Sequence, residues 1–324
     1  MTADKTHAQF RPRNLSAAKI VVTGASGFLG SHLCRSLVKE GAEIHAVSRG
    51  RRASEADGIR WWQGDMADGA SARSLLQEIK PDTIFHLSGL ATAHPECELV
   101  LPTFHSLLVS TVNLLTAATD VGCRRLILAA SLTEPPQDGS DITPGSPYAA
   151  AKWASGAYAR MFHKLYNFPV VMVRPFMTYG PRQDERKLIP HVILSLLKNQ
   201  APTLSSGRQE IDWVYIDDVI DGFLAAASAP DIEGQTIDLG SGVLVPIRVV
   251  VGQIVELMDA EVAPQFHALP DRPAEPVRVA DMSTADAKLG WKPRTPLKTG
   301  LAHTIDWYRE RLQSTSHWDS PLVA

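Results

Sequence analysis

A tyrosine and a lysine four residues apart, Tyr148 and Lys152, carry the clearest chemical signal in this sequence. They lie in Ser146-Pro147-Tyr148-Ala149-Ala150-Ala151-Lys152, which reads as the start of a helix. Ser146 suits the N-cap, Pro147 the first helical position, and three alanines favour continuing the helix. Residues i and i+4 of a helix share a face. The spacing therefore sets an ammonium beside a phenol. A phenol titrates near ~10 unperturbed, and a nearby cation favours the phenolate. A tyrosine lowered in this way can pass a proton to or from a carbinol oxygen near neutral pH. None of the other five tyrosines has a lysine four residues on.

The pair follows a nucleotide-binding signature that lies in the N-terminal third of the chain. Residues 19–23, KIVVT, form a short apolar run that ends at glycine. GASGFLGSHLCRSLVKEG comes next, with Gly24, Gly27 and Gly30 three apart, then Leu29, Leu33 and Leu37 at helical spacing up to Gly41. This order predicts strand, glycine turn and helix. Its small residues let the backbone approach a pyrophosphate, and the helix N-terminus favours that anion. The expected dinucleotide contacts here are Gly24, Ser26, Gly27, Phe28, Leu29 and Gly30.

The next strand, EIHAVSR, should end in a carboxylate if the 2′-hydroxyl of NAD is to be bound. It ends instead in Ser48 and Arg49, with Arg51 and Arg52 close behind. A guanidinium suits a 2′-phosphate, so the sequence favours NADP(H), with NAD(H) the alternative. IRWWQGDMAD gives a further strand, then Asp65 and Met66 as candidates for the adenine pocket. Strands near 83–87 and 124–131 place Leu87, Ser88, Gly89 and Ser131 at the carboxyl edge of a sheet, where ligands bind in such folds. FPVVMVRP, ending at Pro175, is a sixth strand.

Strands alternate with helices throughout, which predicts an α/β fold: a doubly wound parallel sheet with a smaller C-terminal α/β lobe. The expected division is a tail over 1–18, a dinucleotide-binding domain over 19–175 with parts of 207–240 returning to it, a substrate lobe over 176–313 and a tail over 314–324. A helix near 216–228 is expected to be capped by Asp217 or Asp218.

The chain has 324 residues, 44% hydrophobic and 21% charged, with a net charge of −3. No basic excess points to nucleic acid. No apolar run is read as reaching the ~20 residues a membrane helix needs, and the polar N-terminus is unlike a secretory signal. Three cysteines, Cys34, Cys97 and Cys123, lack metal spacing. A reduced, cytoplasmic setting without a metal is the expectation.

TGASGFLG, FHLSG, SPYAAAK, RPFMTYGPRQ, DWVYIDDV, DLGSG and DRPAEPVRVADMSTADAKLGW succeed one another over residues 19–313. In this order they resemble the extended short-chain dehydrogenases/reductases, in the NAD(P)-dependent epimerase/dehydratase family acting on nucleotide sugars. The resemblance implies Tyr148 as acid/base, Lys152 lowering its pKa and holding the nicotinamide ribose, and Ser131 bonding the substrate oxygen. It also implies a homodimer joined through helices near 104–121 and 148–166.

Departures from the family narrow the reaction. The Asp-Glu pair that follows the active-site hydroxyl in 4,6-dehydratases is Leu132-Thr133 here, which argues against dehydration. Met177 stands where Asn is common, Ile211 where Arg is common, and Leu107 where Asn is common, whereas Arg272 matches a diphosphate-binding arginine. Thr133, Met177, His191 and Arg272 are the expected substrate contacts, with His94 a further histidine considered. The arginines at 49–52 favour NADPH and net reduction. The sequence thus reads as a reductase of a 4-keto sugar nucleotide; 4-epimerisation is the alternative, and a non-sugar carbonyl reductase of the same fold the second.

Overall fold

A computed structural model describes residues 15–52, 58–135, 143–271 and 277–315. In chain order the elements are β1 (Lys19–Thr23), α1 (Phe28–Lys39), β2 (Glu43–Ser48), β3 (Ile59–Gln63), α2 (Gly69–Ile79) and β4 (Thr83–His86). A helical run comes next, made of a 3₁₀ turn (Cys97–Leu99), α3 (Val100–Thr103), a π-helical segment (Phe104–Val109) and α4 (Ser110–Val121). Beyond it lie β5 (Arg125–Ala129), α5 (Pro147–Tyr166), β6 (Val170–Pro175), β7 (Met177–Tyr179), α6 (Leu188–Leu197), β8 (Glu210–Tyr215) and α7 (Ile216–Ser228). The last are β9 (Thr236–Leu239), β10 (Leu244–Pro246), α8 (Ile247–Met258), a three-residue α9 (Met282–Thr284) and α10 (Leu297–Thr315).

Seven strands form one sheet in the order β3-β2-β1-β4-β5-β6-β9. Its order reverses between β1 and β4, the switch point at which ligands bind in open α/β sheets. Parallel registers bring Thr23 opposite His86 and set β4 beside β5. Both β4 and β5 are wholly buried, as expected of parallel strands with helices on both faces. On one face α2, α4 and α5 pack together around Leu75, Leu76, Leu114, Leu115 and Phe162.

The described chain separates into two compact units. The first holds residues up to Arg174 together with Ile220–Asp238 and Met282–Lys292; the second holds Pro175–Val219, Leu239–Asp281 and the residues from Pro293 on. In the second, β10, β8 and β7 form a small sheet. Asp212 ties it together: its carboxylate accepts the N–H groups of Ser241 (2.6 Å), Gly242 (3.1 Å) and Ala280 (2.9 Å).

Three expectations need correction. Leu15 and Ala18 are buried, and Ala17 N–H donates to the Gly41 carbonyl at 2.9 Å, so the tail cannot extend to residue 18. Asp218 does not stand at the position before its helix. It lies inside the first turn of α7 and accepts the N–H groups of Arg294 (3.1 Å) and Thr295 (3.0 Å). Finally, Cys97–Val121 is, by length and composition, long and apolar enough to cross a membrane. Two of its polar side chains bond other parts of the first unit. Asn113 Nδ2 donates to the carbonyls of Met66 and Ala67, and Thr111 bonds His86.

Candidate active site

The helix that carries Tyr148 forms as its sequence directs. Ser146 Oγ accepts the Ala149 N–H at 3.1 Å, and Pro147 occupies the first position. Tyr148 is half-buried and Lys152 buried. Lys152 Nζ donates to the carbonyl of Ala129, the last residue of β5, at 2.7 Å. Burial lowers the Lys152 pKa to about 8, while the charge of Glu134 works in the opposite direction. A lysine at that value is still mostly cationic at neutral pH.

Tyr148 departs from the expected shift. Burial dominates and raises its pKa, a hydrogen bond with Ser131 lowers it, and the Glu134 charge raises it again. Desolvation of a phenolate outweighs the single hydrogen bond, so the protein by itself keeps this phenol protonated.

Ser131 lies two residues beyond β5 and is buried. Its Oγ lies 2.9 Å from Thr133 Oγ1 and accepts the Thr133 N–H at 3.2 Å. The structure therefore joins Ser131, Tyr148, Lys152 and Thr133 in one cluster. Glu134, unassigned by the sequence, is 3% exposed beneath it.

A second cluster lies at the ends of β1 and β4. His86 Nδ1 is 2.7 Å from Thr23 Oγ1 and 3.3 Å from Ser88 Oγ, and its Nε2 is 3.1 Å from Thr111 Oγ1. Thr111 already donates its hydroxyl proton to the Leu107 carbonyl. The proton between Thr111 and His86 must then sit on Nε2, leaving Nδ1 to accept from Thr23 and Ser88. Burial and the Lys152 charge push the His86 pKa down to about 3. A histidine ending the run TIFH is the signal in the sequence that could have found this cluster.

The glycine turn fits a dinucleotide. Gly24 has φ +69°, and a Cβ there would come within 2.7 Å of Ser88 N. A Cβ on Gly30 would overlap the Gly24 carbonyl oxygen, so α1 starts as close to the turn as a chain allows. Gly27 caps α1 without any side-chain bond, and no acidic residue occupies the first turn. Amide groups at the helix start are thus left for an anion such as pyrophosphate. Ser26 is exposed beside them, while Phe28 and Leu29 are half-buried at the first turn. Leu87 N–H donates to the Thr23 carbonyl at 3.2 Å, which brings Leu87, Ser88 and Gly89 to the same sheet edge.

At the end of β2, Ser48 Oγ donates to the Gly50 carbonyl at 2.6 Å, and Gln63 Nε2 donates to the Arg49 carbonyl at 3.1 Å. Arg49 itself is exposed. The Arg52 guanidinium stands 5.5 Å from the Trp61 ring centre. Asp65 Oδ1 accepts the Ala67 N–H at 2.9 Å, and Met66 is buried. Pro175, Met177 and His191 belong to the second unit, Met177 opening β7 and His191 lying in α6. Arg272 lies outside the described residues. Among the described residues no cluster of three or more His, Cys, Asp or Glu side chains has metal-binding geometry.

A Rossmann-type sheet with a glycine-lined helix start and a Ser131, Tyr148 and Lys152 cluster defines an enzyme of the extended short-chain dehydrogenase/reductase class. The chain belongs to the NAD dependent epimerase/dehydratase family, whose sequence model matches residues 20–240. It is 31% identical to the UDP-glucose 4-epimerase of Mycolicibacterium smegmatis over 91% of this chain and 100% of that one. It is 25% identical to the dTDP-D-glucose 4,6-dehydratase of Mus musculus over 99% of this chain and 97% of that one. Among solved structures, the UDP-glucuronic acid 4-epimerase of Bacillus cereus, in complex with UDP-glucuronic acid and NAD, matches with a TM-score of 0.81 at 25% identity, covering 90% of this chain and 99% of that chain.

Proposed function

We propose that this enzyme is a nucleotide-sugar 4-epimerase. Its relation over nearly the whole chain to a UDP-glucose 4-epimerase carries the reading. The absence of a carboxylate pair after Ser131 supports it against dehydration: Leu132 and Thr133 stand there, and Glu134 is engaged with the Ser131 N–H at 2.7 Å.

The glycine turn and the start of α1 would hold the pyrophosphate, and Lys152 the nicotinamide ribose. When bound, the nicotinamide supplies reversible hydride exchange. Tyr148 holds the mobile proton on its phenol oxygen, and Ser131 Oγ orients the substrate oxygen toward it. Epimerisation starts from an alcohol, so Tyr148 must first take the C4-hydroxyl proton as a phenolate, which the cationic oxidised nicotinamide would favour when bound, and then return the proton to the alkoxide from the same oxygen. Donors fixed in a desolvated site stabilise developing charge without reorganising.

Ser48-Arg49, where a carboxylate would bind an NAD ribose, favours a second reading: an NADPH-dependent reductase of a 4-keto nucleotide sugar. Mass spectrometry of nucleotide released on denaturation, with turnover measured without added cofactor, separates the two. Tightly held cofactor and turnover without supplement support the epimerase; consumption of one NADPH per sugar replaces it with the reductase.

We also infer a homodimer. Val100, Leu101 and Phe104 on the first helical run and Tyr158, Leu165 and Tyr166 on α5 are exposed apolar side chains, of the kind that mark association surfaces.

A further inference from the structure

We propose that Glu134 is the positioning residue of this active site, holding Ser131 in register with Tyr148 through a buried carboxylate clamp. The turn after β5 closes on itself twice. Glu134 N–H donates to the Ser131 carbonyl at 3.2 Å, and Glu134 Oε1 accepts the Ser131 N–H at 2.7 Å. The second bond comes from a side chain only 3% exposed. A buried carboxylate is costly unless charge and hydrogen bonds compensate it.

The compensation comes from two other elements. Arg174 Nη2 on β6 stands 3.8 Å from Glu134 Oε2, and Arg174 Nη1 is held at 2.9 Å by Asp238 on β9. On α5, Gly156 leaves open the space where a Cβ would sit 3.8 Å from Glu134 Oε2 and 3.4 Å from Arg160 Nη1. Tyr148 and Lys152, on the same helix, both sense the Glu134 charge. Arg174, Asp238, Arg160, Tyr148 and Lys152 are thus ionisable groups near it among the described residues. A carboxylate paired with Arg174 on β6 and lying against Gly156 of α5 fixes the backbone of Ser131 relative to both. A turn that served only itself would need neither the burial nor the arginine.

The proposal rests on Tyr148 as the acid of the enzyme, so its test reads the phenol directly and needs no substrate. The Tyr148 titration is the near-ultraviolet phenolate signal of each folded protein minus that of its Tyr148→Phe counterpart. In the wild-type background, Ser131→Ala should raise the Tyr148 midpoint, because a hydrogen bond to the phenolate is lost. In a Glu134→Ala background the same change should have no effect, since Ser131 is no longer held. Glu134→Gln keeps an acceptor oxygen for the Ser131 N–H and removes the charge. There Ser131→Ala should act as in wild type, while the midpoint itself moves down. Such non-additivity is the signature of coupling. Equal Ser131→Ala shifts in the wild-type and Glu134→Ala backgrounds would overturn the proposal, as would no shift in the wild type. If circular dichroism finds Glu134→Ala unfolded, Glu134→Leu, which fills the same space without an acceptor for the Ser131 N–H, takes its place, and the same two outcomes decide. Failure of turnover on nucleotide sugars would refute the epimerase reading and leave these titrations intact.

Discussion

Lys152 Nζ lies 2.7 Å from the carbonyl oxygen of Ala129, so the catalytic helix is fastened to the strand that ends two residues before Ser131. One bond thereby sets the separation of the helix that carries Tyr148 from the turn that carries Ser131. It also explains a lysine that is buried: the ammonium exchanges water for a carbonyl, and its pKa falls to about 8 through desolvation.

Replacing Lys152 should affect more than turnover. Lys152→Met removes the bond to Ala129 and, on the proposed reading, the contact with the nicotinamide ribose. Turnover should fall and dinucleotide affinity should weaken together, measured by steady-state kinetics and fluorescence titration. A variant that lost turnover alone would show that Lys152 does not hold the cofactor.

Tyr148→Phe removes only a hydroxyl from a half-buried ring. General acid catalysis is worth ~10²–10⁴-fold, and turnover should drop by at least that range while cofactor affinity stays within a few fold. Ser131→Ala should cost on the order of 10²–10³ in rate, as loss of one preorganised donor does. Near-normal turnover of Tyr148→Phe with an unchanged pH profile would move the acid elsewhere.

The proposal of an NADPH-dependent reductase rests on Arg49 as a 2′-phosphate contact. Loss of a charge-assisted phosphate contact costs ~1.5–3 kcal/mol, or roughly 10- to 150-fold at ~1.4 kcal/mol per decade. Arg49→Ala should weaken NADPH by about that factor and leave NADH nearly unchanged. Equal wild-type affinity for the two dinucleotides would refute the assignment.

Acid should destabilise the protein through His86. Its folded pKa, about 3, lies below the ordinary 6.5, so the unfolded chain binds a proton that the folded one refuses. Stability from this group is complete above pH 6.5 and is lost as pH falls towards 3. Protonation would also oblige Nδ1, which accepts from Thr23 and Ser88, to become a donor. His86→Gln should flatten the fall of the urea midpoint across that window. An unchanged pH slope would rule His86 out as the cause.

Gly30→Ala tests the cradle. The added methyl would overlap the Gly24 carbonyl oxygen, and relief requires α1 to move off the turn. Overpacking of this kind costs ~1–3 kcal/mol. Binding of NAD(H) and NADP(H) should fall together, by calorimetry. Full retention of both would mean that the approach of α1 to Gly24 is not needed.

The sequence by itself determined the local pieces of this protein. Ser146 and Pro147 start a helix through their own side chains, and helical periodicity then puts Tyr148 and Lys152 on one face. Gly24, Gly27 and Gly30 specify a turn because the backbone, not a partner, requires their lack of a side chain. Alternation of buried strands with helices sufficed for the doubly wound sheet. Tertiary structure decided what depends on burial and on distant partners. Glu134 looks like one more loop carboxylate until β6 and α5 close over it and Arg174 approaches. His86 ends an apolar strand, and only the parallel register opposite Thr23 with Thr111 behind it fixes its tautomer. The direction of the Tyr148 shift is opposite to the one its spacing from Lys152 suggests, for the same reason. Spacing reveals the nearby cation, whereas desolvation, the larger effect here, is a property of everything packed around the ring. Met282–Lys292 returns to the first unit and buries Leu289 and Trp291, a long-range docking that no local pattern in those residues encodes.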